Sequence, residues 1–268
     1  MITITKATLK TTVAKLSVGV FAFAIGLGTS TIASADEADA KALLKAMSDY
    51  MASQEAISFA YDASFEVVTK DGQRLSLASS GTMALNRPDK LHVTRSGGFM
   101  NNETIFDGQT LTLLGKNVNL YTQVEVKGTI DNLLDTMIGK LGRTPPAADL
   151  ISSNAYDQLM ENVVDIKDLG SGVINGVECD FLAFRTEDVD WQIWIAHGDQ
   201  PYPCRYVVTS KQIDGAPQYS IQFRDWETGK NAVSDDFIFS NTTDAKMIDP
   251  ADLKEKMGDL PSHFKTGG

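Results

Sequence analysis

The sequence predicts a mainly β protein with a few helices, in which antiparallel meanders form one sheet. The stretch from Val189 to Trp226 contains three runs of alternating apolar residues, separated by two loops rich in Gly, Pro and Asp. This is the pattern of a three-stranded antiparallel meander. Residues 57–124 repeat it at greater length, with a hairpin turn signal at Asp71-Gly72. Between the two, residues 129–161 show helical spacing, which predicts a helical insertion.

Residues 1–35 have the features of a cleavable signal peptide. The first 15 residues contain three lysines and no acidic residue, an apolar core runs from Leu16 to Gly28, and Ala33-Ser34-Ala35 is a small-residue cleavage site. An N-terminal membrane anchor is the alternative, but the apolar core is shorter than the ~20 residues that a membrane span needs. The sequence therefore predicts export to the periplasm with cleavage after Ala35, and no cysteine for a lipid anchor follows that site.

The composition of the exported chain restricts its partners. Removing residues 1–35 takes away three of the 24 basic residues and none of the 35 acidic ones, which leaves a net charge of −14. An acidic domain repels nucleic acid and anionic membrane surfaces, so no nucleic-acid partner is expected. With no internal repeat or linker in the sequence, we expect a monomer with a single domain over residues 36–248 and a polar C-terminal tail over residues 249–268.

The predicted elements can be placed along the whole mature chain. Apolar residues at helical spacing predict an amphipathic helix over Asp36–Ser53, and a short helix over Asp252–Met257 in the tail. Alternating runs predict the strands Ile57–Lys70, Gln73–Asn86, Leu91–Arg95, Glu103–Phe106, Thr110–Leu114, Val118–Val124, Val163–Lys167, Val173–Arg185 and Asp236–Ser240, besides the meander. Gly170-Ser171-Gly172 is interpreted as a turn between two of these strands.

The two cysteines, Cys179 and Cys204, are expected to form a disulfide, because a lone pair in an oxidising compartment usually does. If residues 177–185 and 189–196 form a hairpin and 204–211 follows, the cysteines lie on the first and third of these strands and both flank Ala196. That is too far apart for a bridge in a flat sheet. A bulge, or the loop His197–Pro203, could bring Cys204 across. The competing interpretation is two buried free thiols.

The sequence contains no catalytic or metal-binding motif. The three histidines are far apart, and neither metal-ligand spacing, a G-x-S-x-G elbow, a P-loop nor a dinucleotide glycine pattern is present. The acidic pairs Asp188/Asp190 and Asp235/Asp236 could serve glycoside hydrolysis or calcium binding, although solvated turn carboxylates are the simpler interpretation. We therefore expect no catalytic residue, no metal and no cofactor, and keep an unrecognised hydrolase as an alternative.

The inner faces of the predicted strands carry large apolar side chains that could enclose a cavity for an acyl chain. The predicted lining residues are Phe59, Tyr61, Phe65, Met83, Leu85, Trp191, Ile193, Tyr219 and Phe223. The helical insertion would cover this cavity as a lid through Leu133, Leu134, Met137 and Ile138. The alternative is that the same residues pack on the helices and leave no cavity.

Several motifs in a fixed order add a family resemblance. They are the helix Leu43–Tyr50, the strand and Arg-Pro turn Ser80–Lys90, the D-G strand Ile105–Leu114, the hairpin Trp191–Tyr206 and the F-x-F segment Asp235–Asn241. Through them the chain resembles the LolA/LolB-like superfamily of exported proteins, and more closely an uncharacterised family of predicted periplasmic proteins grouped with it.

The resemblance implies a strongly curved, half-open antiparallel β-barrel with helices covering the concave face. It also implies an apolar cavity for a lipid or lipoprotein acyl chain, and a contact between Arg87 of the Arg-Pro turn and the lid. Two features depart from the superfamily pattern, namely the insertion over residues 129–161 and the cysteine pair. The fold also occurs in envelope-stress sensors, so a module that binds an envelope protein, with its cavity filled by its own helices, is the alternative function.

Overall fold

The computed structural model describes residues 32–98, 100–145, 147–230, 232–233 and 236–258. The predicted signal peptide lies outside this part of the chain up to residue 31, and so do Asp235, His263 and the last ten residues of the predicted tail. All the described residues belong to one compact unit. Among them, no helix combines the length and hydropathy needed to cross a membrane.

The described chain contains a long β segment, then a helical insertion, then a second β segment, in the predicted order. The helices are α1 (Ile32–Ser53), α2 (Ile130–Gly139), α3 (Ala148–Ile151), α4 (Ala155–Met160) and α5 (Leu253–Lys256), with a 3₁₀ turn at Pro250–Asp252. The strands are β1 (Ala56–Val68), β2 (Arg74–Asn86), β3 (Lys90–Gly97), β4 (Asn101–Phe106), β5 (Thr110–Gly115), β6 (Leu120–Glu125), β7 (Asp165–Ile174), β8 (Val177–Arg185), β9 (Val189–Ala196), β10 (Pro203–Ser210), β11 (Gln218–Thr228) and β12 (Lys246–Met247).

The strands form a single twelve-stranded sheet in the order β12-β6-β5-β4-β3-β2-β1-β11-β10-β9-β8-β7. The two meanders join where β1 pairs with β11, and every pair is antiparallel except β12 with β6. Strands β12 and β7 are the two edges and do not pair with each other, so the sheet curves without closing. The predicted half-open antiparallel barrel with helices is confirmed.

The period-two pattern of β1 directs one set of side chains to the inner face. Ile57, Phe59 and Tyr61 are at most 3% exposed, and the register sets Tyr61 beside Gly81 of β2. A side chain at Gly81 would lie 2.0 Å from the carbonyl oxygen of Thr94 and 2.6 Å from the Tyr61 hydroxyl. Glycine therefore allows the Tyr61 hydroxyl to donate a hydrogen bond of 2.8 Å to Thr94 O.

The helices cover the inner face with their apolar sides. In α1 the residues Ala40, Leu44, Met47 and Met51 recur at helical spacing, and each is fully buried or nearly so. They form one core cluster with the inner residues of the sheet and with the apolar side of α2. Because burying a large apolar side chain contributes about 1.5–3 kcal/mol, this contact fixes α1 on the sheet.

One predicted strand and one predicted turn are wrong. The segment Asp236–Ser240 is not a strand, because Phe237 adopts a left-handed backbone with φ of 57°, although its side chain is buried. That sheet edge is instead provided by β12, which runs parallel to β6. The predicted turn Gly170-Ser171-Gly172 lies inside β7, where a register shift between Asp168 and Ser171 marks a β-bulge.

The beginning of the predicted polar tail packs on the sheet. The amide of Ile248 donates to Tyr121 O at 2.8 Å, and the Thr122 hydroxyl donates to Ile248 O at 2.9 Å. Leu253 of α5 is only 3% exposed and belongs to the core cluster. The described residues beyond 248 therefore extend the core beside β6.

Candidate ligand-binding site

The inner face of the sheet divides into a filled zone and an open zone. The filled zone contains seven of the nine predicted cavity residues, each at most 3% exposed and packed in the core cluster with the helices: Phe59, Tyr61, Met83, Leu85, Trp191, Ile193 and Phe223. The open zone contains the other two, Phe65 and Tyr219, which line a pocket of about 350 Å³. The helices thus cover most of the concave face but leave the open zone accessible. Another opening of about 720 Å³, lined largely by polar residues of α4 and of the turn between β8 and β9, lies beside Trp191 and Tyr206.

The pocket has an apolar wall on the sheet because four strands present side chains in one row. Phe65 of β1 pairs with Leu77 of β2 on one side and with Tyr219 of β11 on the other, and Tyr219 pairs with Val208 of β10. The opposite wall comes from the segment that connects α2 to α3, through Pro145, Ala147 and Ala148. Its volume lies within the ~300–1,000 Å³ typical of small-molecule sites.

Polar groups reach the pocket at two separate places, and the first is Arg95 of β3. Its guanidinium Nε donates a hydrogen bond of 3.0 Å to the hydroxyl of Ser79 on β2. Burial raises the pKa of both Tyr61 and Tyr219, and that of Tyr219 reaches about 12. The charge of Arg95 opposes this rise only in part. Both phenols therefore stay protonated at neutral pH, with a cation close to them.

The second polar place is Asp149 at the start of α3. The Tyr206 hydroxyl donates to Asp149 Oδ2 at 3.4 Å. Although part of Asp149 is open to solvent, the protein packed around its carboxyl raises its pKa, and the bond from Tyr206 opposes this rise. Tyr206 is itself buried, and burial beside Asp149 raises its pKa well above the usual value.

A smaller depression of about 70 Å³ continues the pocket on the far side of Arg95. Arg95, Met100, Thr144 and Pro145 line both. The depression adds apolar side chains from β5, α2 and the C-terminal segment, namely Leu113, Leu114, Met137, Leu253 and Met257. Arg95 therefore lies at the junction of two apolar surfaces.

Arg87 connects the helical cover to the sheet. Its Nη2 donates to the carbonyl oxygen of Ile151, at the end of α3, at 2.9 Å, and to that of Met51 in α1 at 3.4 Å. The next residue, Pro88, accepts a bond of 2.8 Å from the amide of Ile130, at the start of α2. The Arg-Pro turn thus contacts three helices at once.

The predicted lid residues do not all point the same way. Leu133, Leu134 and Met137 of α2 are buried in the core cluster. Ile138 is 48% exposed, so its predicted inward position is wrong. At about 100° per residue, α2 turns Ile138 roughly 100° away from Met137, which places it at the edge of the buried face of the helix.

Cys179 and Cys204 are both buried, and both thiols are free in this structure, as in the competing interpretation. Their side chains nevertheless pack in one small buried cluster with Ala196, where the Cys179 thiol donates to Val177 O at 3.4 Å. Cys179 pairs with Ala196 of β9, and a register shift in β10 between Pro203 and Arg205 places Cys204 on a bulge. Burial raises the pKa of both thiols.

The residues considered for catalysis are occupied by structural contacts. Asp190 forms a two-point ion pair with Arg185, at 2.7 and 2.9 Å, which joins β9 to β8. His92 lies 2.7 Å from Glu103, and His197 lies 3.4 Å from Asp180. No cluster of three or more His, Cys, Asp or Glu side chains able to hold a metal ion occurs in the described part of the chain.

The sequence analysis missed Arg95, Val208 and Asp149 as pocket residues. A signal for Arg95 was present, since it continues the alternation of Leu91 and Val93 and must therefore share their inner face. No comparable signal marks Asp149, whose position depends on how α3 packs on the sheet.

The fold and the pocket define a class: a half-open antiparallel barrel whose concave face is covered by helices and keeps a ligand-sized pocket. Residues 40–250 match the family described as "Predicted periplasmic protein (DUF2092)", and the chain belongs to this family. The expected family and the expected periplasmic localisation are thereby confirmed. No curated protein matches the sequence.

Solved structures with similar folds are distant in sequence. Lipoprotein LppX of Mycobacterium tuberculosis is 12% identical, with a TM-score of 0.38 over 74% of this chain and 100% of that chain. Pseudomonas aeruginosa MucB, in a MucA/MucB complex, is 13% identical, with a TM-score of 0.44 over 75% of this chain and 61% of its own. A LolA superfamily protein of Nitrosomonas europaea is 10% identical, with a TM-score of 0.33 over 74% and 99%.

Proposed function

We propose that this periplasmic protein binds the acyl chain of a lipid or lipoprotein in the open zone of its inner face, and that it acts by binding rather than by catalysis. The observation that carries the proposal is the pocket of about 350 Å³ between the row Phe65, Leu77, Tyr219, Val208 and the segment before α3. Phe65 is 42% exposed there, so an aromatic surface stays in contact with water unless a ligand covers it.

The physical basis is the removal of hydrocarbon from water. Each buried CH₂ contributes about 0.8 kcal/mol, so a chain of several methylenes along this row gives useful affinity without any charged contact. The rigid sheet supports one wall, and only the connecting segment opposite has to adapt. A single chain matches this volume better than the several chains of a complete lipid.

A second candidate function is binding of an envelope protein with the cavity filled by the helices. It is favoured by the burial of the filled zone and by the exposed apolar side chains Val164, Leu169 and Val173, which are spread along the β7 edge. Exposed apolar surface of this kind often marks interaction sites. The two functions differ in which surface a partner covers, and they can be tested separately.

The test is binding of cis-parinaric acid, a fluorescent fatty acid, by the mature protein purified from the periplasm and delipidated. Val208→Trp fills the open zone with an indole ring, and Val173→Trp makes the same change on the exposed edge as a control. Excluding four methylenes costs about 3 kcal/mol, so we expect Val208→Trp to weaken binding roughly 100-fold and Val173→Trp to leave it unchanged.

Saturable binding that Val208→Trp abolishes supports the acyl-chain function, and native mass spectrometry of the untreated protein would then identify the natural ligand class. An absence of saturable uptake by the wild type, or equal uptake by the Val208→Trp variant, would overturn it. A partner captured by the wild type and lost with Val173→Asp would instead support the protein-binding function.

A further inference from the structure

We propose that the ligand is an anionic amphiphile whose acidic head group binds between Arg95 and the hydroxyl of Tyr219. The inference rests on the proposed function, because it assigns a head group to the ligand whose chain fills the open zone. It concerns the junction between the pocket and the smaller depression, where an arginine stands among apolar side chains.

Arg95 has unused hydrogen-bonding capacity. Its one hydrogen bond in the described part of the chain uses Nε, and it forms no ion pair there, whereas Arg185 and Arg224 are paired with Asp190 and Asp62. A guanidinium has five N–H donors in a planar fork, so four remain for a ligand. An unpaired arginine is costly beside apolar surface, and an oxyanion would remove that cost.

The carboxylate nearest along the sheet does not neutralise Arg95. Glu103 of β4 contacts His92 at 2.7 Å and Lys116 at 2.7 Å, and these two partners account for its lowered pKa. Arg87 and Arg205 also form no ion pair among the described residues, but Arg87 donates to backbone carbonyls and Arg205 lies over the ring of Trp194. Arg95 itself lines both the pocket and the smaller depression.

Tyr219 supplies a second donor at the same place. Its hydroxyl oxygen is buried and forms no hydrogen bond with the described residues, although the backbone of Ala147 lies near it. Tyr219 and Arg95 line the same pocket, so one ligand can reach both side chains. A neutral phenol and a guanidinium together match a carboxylate or a phosphate monoester, which accept hydrogen bonds at several oxygens.

Asp149 fixes the direction of the ligand. It lines the same pocket but accepts its hydrogen bond from Tyr206, and among the described residues it forms no ion pair with Arg95. An anionic head group is attracted to Arg95 and repelled by Asp149. The chain is therefore directed along Phe65, Leu77 and Val208, away from the head group.

The experiment compares chain-matched ligands by isothermal titration calorimetry: lauric acid, its neutral analogue dodecanol, and lauroyl lysophosphatidic acid. Arg95→Met removes the charge at similar length, Tyr219→Phe removes only the hydroxyl, and Arg74→Met is a control on an exposed arginine of β2 whose Nη2 donates to Gly215 O at 2.6 Å. Loss of charge-assisted hydrogen bonds predicts roughly 10- to 100-fold weaker binding of the acids by Arg95→Met, with dodecanol changed less than about twofold.

Selective weakening of the acids by Arg95→Met and, more mildly, by Tyr219→Phe supports the proposal, and the tighter of the two acids identifies carboxylate or phosphate as the head group. Equal binding of lauric acid and dodecanol by both the wild type and Arg95→Met would overturn the head-group site while leaving acyl-chain binding intact. Failure of the wild type to bind any of the three would overturn both. If thermal melting shows that Arg95→Met is unfolded, Tyr219→Phe decides alone.

Discussion

Cys204 illustrates how one irregularity in a strand decides what two side chains can do. In a regular sheet, β9 would separate Cys179 on β8 from Cys204 on β10 by two strand spacings, about 9–10 Å. The register shift between Pro203 and Arg205 instead lets the two buried side chains pack in one cluster. The contact needs only a small movement to reach disulfide geometry, and the periplasm supplies suitable oxidants.

We predict that the mature protein from the periplasm contains a Cys179–Cys204 disulfide. Each thiol loses one proton and one electron, and the disulfide of a periplasmic thiol oxidase is reduced to a dithiol. The disulfide would close the loop between Cys179 and Cys204, which stabilises the fold by about 3 kcal/mol. Reduction should therefore lower the Tm by roughly 6–12 °C. Mass analysis after alkylation under denaturing conditions measures the bond directly, and two alkylated cysteines in the unreduced protein would contradict the prediction.

Glu103 gives a pH dependence whose sign follows from its contacts. The hydrogen bond to His92, with Lys116 as the next partner, lowers its pKa from 4.5 to about 2. A carboxylate with a lowered folded-state pKa stabilises the protein above its unfolded pKa, and the contribution disappears as the pH falls to the folded value. The free energy of unfolding should therefore decrease between about pH 5 and pH 2.

Replacing Glu103 by Gln isolates this contribution. We expect the variant to be less stable than the wild type at pH 7 by about 2–3 kcal/mol, and the difference to vanish near pH 2. Urea unfolding across this pH range measures it, with Glu125→Gln as a control because Glu125 pairs with Lys127 on the exposed surface. A difference that persists unchanged at pH 2 would show that packing, not charge, stabilises this site.

At the scale of elements, we predict that the Arg-Pro turn helps to hold the helical cover on the sheet. Arg87→Met should remove the hydrogen bonds to Ile151 O and Met51 O while keeping most of the apolar volume. Hydrogen bonds from a charged group contribute about 1.5–3 kcal/mol, so we expect α3 to open more easily without unfolding of the sheet. Hydrogen exchange should become faster in residues 148–160 and remain slow in β1 and β11.

The control for this prediction is Arg74→Met, which removes a comparable side-chain bond to the carbonyl of Gly215 on the exposed surface. It should leave exchange in α3 unchanged. If Arg87→Met also leaves exchange and fatty-acid uptake unchanged, Arg87 has no role in holding the cover over the pocket.

The type of most elements could be predicted because the apolar pattern records them, but the irregular positions could not. Alternation along β1 predicts which side chains point inward, whether or not anything covers them. The bulge in β7 depends on one extra residue near Gly170, a glycine that looks like a turn in sequence. Phe237 alternates with Phe239 like a strand residue, yet its left-handed backbone prevents pairing.

For the whole molecule, the sequence indicated an apolar concave face but not how much of it the helices fill. The inward direction of Tyr61 and Phe65 follows from one local pattern, so both were assigned to a cavity. Their difference in exposure, 0% against 42%, arises because the helical cover ends between them. That boundary depends on distant contacts such as those of α1 and Arg87, which no local pattern records.

The two edges of an unclosed sheet create a further requirement at this scale, since open edges pair with other chains. Here β12 has only two residues, and β7 carries charged side chains together with its bulge. We therefore predict a monomer, and we predict that deleting Gly170 regularises β7 and produces dimers or larger species at micromolar concentration. Gly170→Ala, which keeps the extra residue, should stay monomeric in sedimentation velocity. A monomeric deletion variant would show that charge or α1, rather than the bulge, protects this edge.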